Sequence, residues 1–495
     1  MPQPPSIARR SPHGLILAVV CVAQFMVVLD VSIVNVALPD MRTTLHMSES
    51  SLQWVINAYT LTFAGFLLLG GRAADLYGRR RLFLIGLVVF SSMSLLGGLA
   101  QNGTELIAAR AAQGIGGAIL SPATLTILTT TFTDQKGRAR ALGLWSAVAG
   151  AGGATGVLAG GILTDLLSWR WILFINVPIG VVTALVARLA LVESRAEGDR
   201  PQLDWAGAVS ATVGLSAVVY GIVSTDQHSW GSARVLGPIL AGLALLVVFV
   251  VVEARHPSPL APLRLFRARP LVGANLIMIV LGSIMFGVFF FLSLYAQEVL
   301  GYSPLKTGVA FVPMPIAIII GTQLASRLVG RVGPRLLLMV GPSLTAIGLV
   351  LLSRLAVDSS YPQLALSGAL TTFGVGLCFV PLTMEATGGV AARDAGLASG
   401  LINTTRQIGG SIGLAVLATV ATSHAAHVAS RGAAYAQTAG YNRAYEVAAV
   451  LAVAAAVCAA VILPRGVRTG PLGAAEQAVD DGELVPDADA VLERT

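Results

Sequence analysis

The residues best placed to do chemistry are ionisable groups set inside apolar runs. Asp30 stands in Leu29-Asp30-Val31-Ser32-Ile33-Val34-Asn35-Val36-Ala37-Leu38-Pro39, closing a run that begins near Gly14. That run is long enough to cross a bilayer, which takes about 20 residues. Asp30 lies roughly seven residues, ~10 Å, from its far end. A carboxylate at that depth costs at least ~2.5 kcal/mol and marks a functional site by default. Burial disfavours the charged form, which suits an acid that takes up and releases a proton, or binds a cation, beside a wet cavity. The competing reading is a structural acid paired with a neighbour.

Arg110, in Leu106-Ile107-Ala108-Ala109-Arg110-Ala111-Ala112-Gln113-Gly114, lies ~9 Å inside its own run, level with Asp30. A buried arginine keeps its charge and needs an anion or a carbonyl. It reads as a modulator of the proton site, directly or through Gln113 and water, or as a permanent clamp. Arg406, in Asn403-Thr404-Thr405-Arg406-Gln407, is the other buried cation, and clamp and cavity lining stand as equal readings. Asn35, Asn57, Gln113, Arg406 and Gln407 are the candidates for lining a substrate cavity. Glu298, with Gln297, falls at or beyond the end of its run and reads as a solvated acid.

The elements that must position these groups are membrane helices. Of 495 residues, 55% are hydrophobic and only 12% charged, against about 25% charged in soluble proteins. The apolar runs are continuous rather than alternating, which selects helices over a barrel. The chain therefore reads as an all-α integral membrane protein with fourteen spans: 14–37, 51–71, 81–100, 104–130, 138–163, 171–192, 204–224, 234–253, 271–294, 306–329, 335–355, 363–384, 395–421 and 446–463. The first run is too long for a signal peptide and lacks a small-residue cleavage site. Connections on the N-terminal side carry 22 Lys and Arg, those on the opposite side 7. The positive-inside rule then makes both termini cytoplasmic in a multi-pass protein of the cell membrane.

The net charge of +7 is accordingly a topology signal beside the lipid bilayer, and no nucleic-acid partner is expected. Trp54, Trp169, Trp171 and Trp230 fall near outer span ends, where an aromatic belt belongs. The acidic stretch holding Asp480, Asp481, Glu483, Asp487 and Asp489 has the composition of a disordered tail. The external connection 422–445 is the longest. Cys21, Cys378 and Cys458 lie in apolar runs without disulfide or metal spacing, and no metal or cofactor is expected. Gly114-Ile115-Gly116-Gly117 follows no strand and is not a nucleotide loop. No nucleophile–base pair supports an enzyme.

An internal repeat orders the spans. Spans 1, 2, 3 and 5 recur as spans 9, 10, 11 and 13 at offsets of 257, 255, 254 and 257 residues. The chain divides into a tail at 1–13, a six-helix half at 14–192, an inserted helix pair with linkers at 193–270, a second six-helix half at 271–463, and a tail at 464–495. Repeated halves around a central site are transporter architecture. The short connection Gly71-Arg72-Ala73-Ala74-Asp75-Leu76-Tyr77-Gly78-Arg79-Arg80-Arg81 recurs as Ser326…Gly333-Pro334-Arg335, with Gly330 in the place of Asp75. Asp75 stands near the start of span 3, where a carboxylate is favourable. Against Arg79, Arg138 or Arg140 it can latch one conformation, with Gly71, Gly78, Arg79 and Arg80 completing the latch. Span 5 carries Gly152, Gly156, Gly160 and Gly161, small residues that allow close helix contact.

Together these stretches resemble the major facilitator superfamily, specifically its fourteen-helix drug:proton antiporters. Leu29–Pro39 is similar to that family's first-helix signature, Gly71–Arg81 to the superfamily's signature loop, and Arg110 to Gly114 to its fourth-helix motif. Trp169-Arg170-Trp171-Ile172-Leu173-Phe174-Ile175-Asn176-Val177-Pro178 and Ala398 through Gly410 resemble the fourteen-helix subgroup. Two positions depart from the pattern: Val157 stands where the helix-5 antiporter motif has proline, and Leu76 where the loop has arginine. The resemblance implies proton-driven efflux of small amphiphilic compounds such as antibiotics or dyes by alternating access, from a chain expected to act as a monomer. Asp30 would carry the proton, Arg110 would tune it, and spans 1, 2, 4, 5 and their repeats would enclose the substrate. The alternative is a proton-coupled transporter of another small metabolite on the same fold. A non-transporting receptor or scaffold is disfavoured by the paired halves and buried ionisable groups.

Overall fold

The computed structural model describes residues 13–195, 203–388, 390 and 394–463. Residues 1–12 of the expected N-terminal tail and the expected tail after residue 463 lie outside them. Among the described residues, fourteen helices are long and apolar enough to cross a membrane. They are α1 His13–Thr44, α2 Glu49–Tyr77, α3 Arg79–Leu99, α4 Gly103–Thr131, α5 Gln135–Leu166, α6 Trp171–Ala190, α7 Trp205–Val223, α8 Ala233–Arg255, α9 Arg269–Val299, α10 Pro304–Val332, α11 Pro334–Leu352, α12 Tyr361–Gly388, α13 Ala395–His427 and α14 Ala433–Ile462. Each falls on an expected span.

Local chemistry explains the helix starts. Ser48 caps α2 by accepting from Ser51 N at 3.1 Å, and Asn102 caps α4 by accepting from Glu105 N at 2.9 Å. Glu105 reaches back to Gln101 N at 2.8 Å, so two orphan donors are met together. The turns between α2 and α3 and between α10 and α11 hinge on Gly78 (φ 111°) and Gly333 (φ 79°). A side chain would strain both positions. The N-terminus of α3 meets Glu193, not Asp75: Arg80 N and Arg81 N donate to its carboxylate at 3.2 and 3.1 Å. The carboxylate expected at this end thus comes from the segment after α6, because Asp75 turns back toward Arg79.

Packing repeats as the sequence does. In the first six helices α1 packs on α5, α2 on α4, α3 on α4 and α3 on α6; in the last six α9 packs on α13, α10 on α12, α11 on α12 and α11 on α14. Helices α7 and α8 pair, and α7 lies against α2 and α13. Outward-facing Leu240, Leu243 and Val247 on α8 are exposed, an apolar face suited to lipid. Arg72 donates to the carbonyls of Ser258 and Pro259 (the latter at 2.8 Å), and Glu253 accepts from Leu260 N and Ala261 N. The connection leading from α8 to the last six helices is therefore gripped from two sides.

Helices α1, α2, α13 and α9 form a closed ring of neighbours across the two sets. At one end the sets are tied together. Arg42 Nη1 and Glu298 Oε1 are 2.9 Å apart. Ser293 Oγ donates to Asn35 O at 2.6 Å and Gln297 Nε2 to Val36 O at 2.8 Å. At the opposite end of α5, Lys136, Arg138 and Arg140 are exposed, whereas Gly156, Val157 and Gly160 further along are buried.

Two expectations need correction. The connection 422–445 is not a long loop: α13 runs to His427 and α14 begins at Ala433. Buried Tyr441 and Tyr445 pack on Phe291, at ring-centroid distances of 5.5 and 6.1 Å, and hold the early turns of α14 as helix. Glu298 is not simply solvated. A π turn over Tyr295–Val299 prolongs α9 and carries the carboxylate to Arg42, with Gln437 Nε2 adding a bond at 3.1 Å.

Candidate functional site

The site begins with an acid that local sequence cannot satisfy. Asp30 is fully buried on α1, where helical geometry uses the backbone donors around it. Its partners come from other helices. Arg110 Nη1, from α4, meets Oδ2 at 2.6 Å, while Gln113 Nε2, one turn further on, donates to Oδ1 at 2.9 Å. Asn176 Nδ2, from α6, donates to the same Oδ1 at 3.0 Å. Asn176 sits where α6 re-forms after a break at Ile175, two residues before Pro178. It also donates to Ser94 Oγ at 3.0 Å, and Ser94 Oγ donates to Leu173 O at 2.8 Å.

Arg110 has further partners that do not depend on Asp30. Its Nη1 donates to Gln113 Oε1 at 2.8 Å and its Nε to Val55 O at 3.2 Å. The guanidinium also lies over the Tyr59 ring, 4.4 Å from the centroid, a cation–π contact. When Asp30 is neutral, the arginine therefore keeps acceptors and an aromatic face. Asn176 Oδ1 has no partner among the described residues. A turn of that amide offers an acceptor to a protonated Asp30, since the two ends of an amide are interchangeable in shape. The arrangement can hold the acid in either protonation state.

The other candidates separate. Asn57 is fully buried, with neither amide atom partnered among the described residues. Asn35 is half-buried and its Nδ2 donates to Val31 O at 3.0 Å. Gln407 is buried on α13. Arg406 is half-buried, and its Nε has no partner among the described residues. On the signature loop, Arg79 Nη2 at the start of α3 meets Asp75 Oδ1 near the end of α2 at 2.9 Å, across the Gly78 turn. Arg80 instead donates to Arg188 O at 2.8 Å. Gly71 sits against Pro122 of α4. Gly152, Gly156 and Gly160 of α5 face α1, and a Cβ on Gly160 would stand 2.7 Å from Ile33 O. Gly161 faces α10 instead, with Pro304 O 2.7 Å from where its Cβ would be. Sequence reasoning missed Asn176, Tyr59, Ser94 and Val55 as neighbours of the acid. The signal for Asn176 was an amide two residues before a proline inside an apolar run.

The sequence model of the Major Facilitator Superfamily matches residues 20–414. The chain belongs to that superfamily. As a superfamily member it is a multi-pass membrane transporter and not an enzyme. It is 47% identical over 411 residues to the cephamycin export protein CmcT of Amycolatopsis lactamdurans, covering 82% of this chain and 85% of that one. It is 41% identical over 454 residues to the puromycin resistance protein pur8 of Streptomyces alboniger, covering 90% of each. Among solved structures, a bacterial homologue of the human lysosomal transporter Spinster, inward-facing and occupied, superposes with a TM-score of 0.65 at 15% identity, covering 91% of this chain and 96% of that one. That likeness is one of fold.

Proposed function

We propose that the protein exports small amphiphilic compounds such as antibiotics or dyes across the cell membrane in exchange for protons, by alternating access. The observation that carries the proton coupling is Asp30, fully buried, yet ringed by Arg110, Gln113 and Asn176 so that it can be charged or neutral. Export is supported by relatives whose names record cephamycin export and puromycin resistance. The excess of basic residues on one side supports cytoplasmic termini. The Arg42–Glu298 end is then external, and the ties between the two sets there are those of a carrier closed outside.

In this reading the sets are six-helix halves at 14–192 and 271–463, joined by the pair at 193–270, and a single chain suffices. Proton uptake by Asp30 breaks its ion pair with Arg110, and the energy released or absorbed biases α1 against α4. Asp75 with Arg79 latches one state at the cytoplasmic end. The test is substrate-induced proton release from purified protein, coupled with a drug-susceptibility panel in an efflux-deficient host. Resistance without proton release would retain export and remove the coupling.

A further inference from the structure

Among the described residues, Arg406 Nε is buried without a hydrogen-bond partner, although the residue lies well inside α13. Arginine cannot shed its charge, and a charge removed from water without a partner is costly. Arg110, by contrast, has an acid, an amide, a carbonyl and an aromatic face. Arg406 is thus a cation whose Nε finds no partner among the described residues.

Its direction on α13 follows from its neighbours. Ser411 Oγ lies 2.5 Å from Thr60 Oγ1 of α2, and Gly400 faces Leu68 of the same helix. Gly409 and Gly413 pack on Ile279 and Ser283 of α9. Ile408 and Ile412 pack with Leu215 and Val219 of α7. At ~100° per residue, Arg406 falls on the arc opposite α7, between the α2-facing and α9-facing sides. That arc looks into the ring of α1, α2, α13 and α9, and exposed Asn403 lies on it. Phe286 of α9 covers Gly410, one turn on. The Thr404 hydroxyl, on the neighbouring α2-facing side, also lacks a partner among the described residues. One cation beside an aromatic wall is the complement of an amphiphile with a single negative group.

We propose that Arg406 binds the anionic group of the exported compound, a carboxylate or its equivalent, so that the carrier selects amphiphilic anions. The inference rests on the export reading above and names its substrate class. Closing the ring without cargo shuts Arg406 in bare, and an anion removes that penalty. A ligand shifts such an equilibrium only through this differential affinity.

The test is equilibrium binding of 1-pyrenebutyrate and its neutral methyl ester to purified protein in nanodiscs at pH 7.5, read by fluorescence anisotropy. Wild-type protein is expected to prefer the carboxylate at least tenfold. Arg406→Gln is expected to lose that preference, and Arg406→Lys to keep part of it, as a point charge without the planar fork. Thermal unfolding in parallel reports whether each variant is folded, and the wild-type preference stands without any variant. Wild-type protein that binds the two probes alike, or binds neither, overturns the proposal, as does a preference retained in Arg406→Gln. Binding needs no transport, so failure here leaves the susceptibility panel and proton release to judge export separately.

Discussion

Arg42 and Glu298 stand 256 residues apart in the chain and 2.9 Å apart in space. That separation falls within the 254–257 residue offsets that relate the repeated spans. The ion pair therefore joins near-equivalent positions of α1 and α9 in the sequence repeat, one basic and one acidic. Both side chains are partly exposed, at 30% and 20%, so the pair is a weak tie, worth about 0.2–1 kcal/mol.

Glu298→Gln should loosen that end of the ring by a factor of up to about 5 in the open-to-closed ratio. Thiol labelling of Ser293→Cys, whose site is fully buried, should quicken accordingly. The exchange Arg42→Glu with Glu298→Arg should restore the slow rate. Equal labelling in all backgrounds would assign closure to the apolar contacts of α1 and α9 alone.

Asp30→Asn keeps size and hydrogen bonding but cannot gain or lose a proton. It should abolish pH-gradient-driven efflux and substrate-induced proton release while substrate still binds. Arg110→Ala leaves a buried carboxylate without its cation, at about 3–5 kcal/mol, and should impair coupling and lower Tm together. Arg110→Lys should rescue only partly. Asn176→Ala should shift the pH profile of transport without abolishing substrate binding. Proton release by Asp30→Asn that matches wild type would move the coupling site elsewhere.

Asp75→Asn should leave the protein inserted and folded but slow its turnover. Its partner Arg79 lies just across the Gly78 turn and the Asp75 side chain is 42% exposed, so the loss in stability should be small, about 0.5 kcal/mol. Substrate affinity should shift modestly while turnover falls. Transport at the wild-type rate would reduce the ion pair to local helix chemistry.

Gly160→Ala places a methyl group 2.7 Å from Ile33 O, within one turn of Asp30 on α1. Backbone cannot yield as a flexible side chain does, so overpacking should cost about 1–3 kcal/mol. A lower Tm in detergent, larger than for Gly153→Ala, where nothing lies within 4 Å, is the expected result. Indistinguishable Tm values would show that α1 and α5 can part without cost.

Topology has its own check. Thiol reagents should reach cysteines placed at Arg80, Arg138, Arg264 and Arg331 from the cytoplasm, and those placed within 225–232 from outside. Labelling of 225–232 from inside would invert the α7–α8 pair and the depth arguments that follow it.

Apolar run length, basic-residue asymmetry and the repeat were enough to place fourteen helices, because in lipid each span must satisfy its own backbone. The matched depths of Asp30 and Arg110 were legible for the same reason, since rise per residue converts sequence position into depth. What a run's composition does not encode is its azimuth and its neighbour. That Asn176 reaches Asp30, that Tyr59 covers Arg110, that Arg80 turns to Arg188 and that Glu193 caps α3 all depend on which helices touch. Glu298 and Arg406 show the same division from opposite sides. Sequence marked the first as solvated, yet a π turn and the approach of α1 gave it a cation. Sequence left the second between clamp and cavity lining, and the packing of four helices into a ring left its Nε without a partner among the described residues.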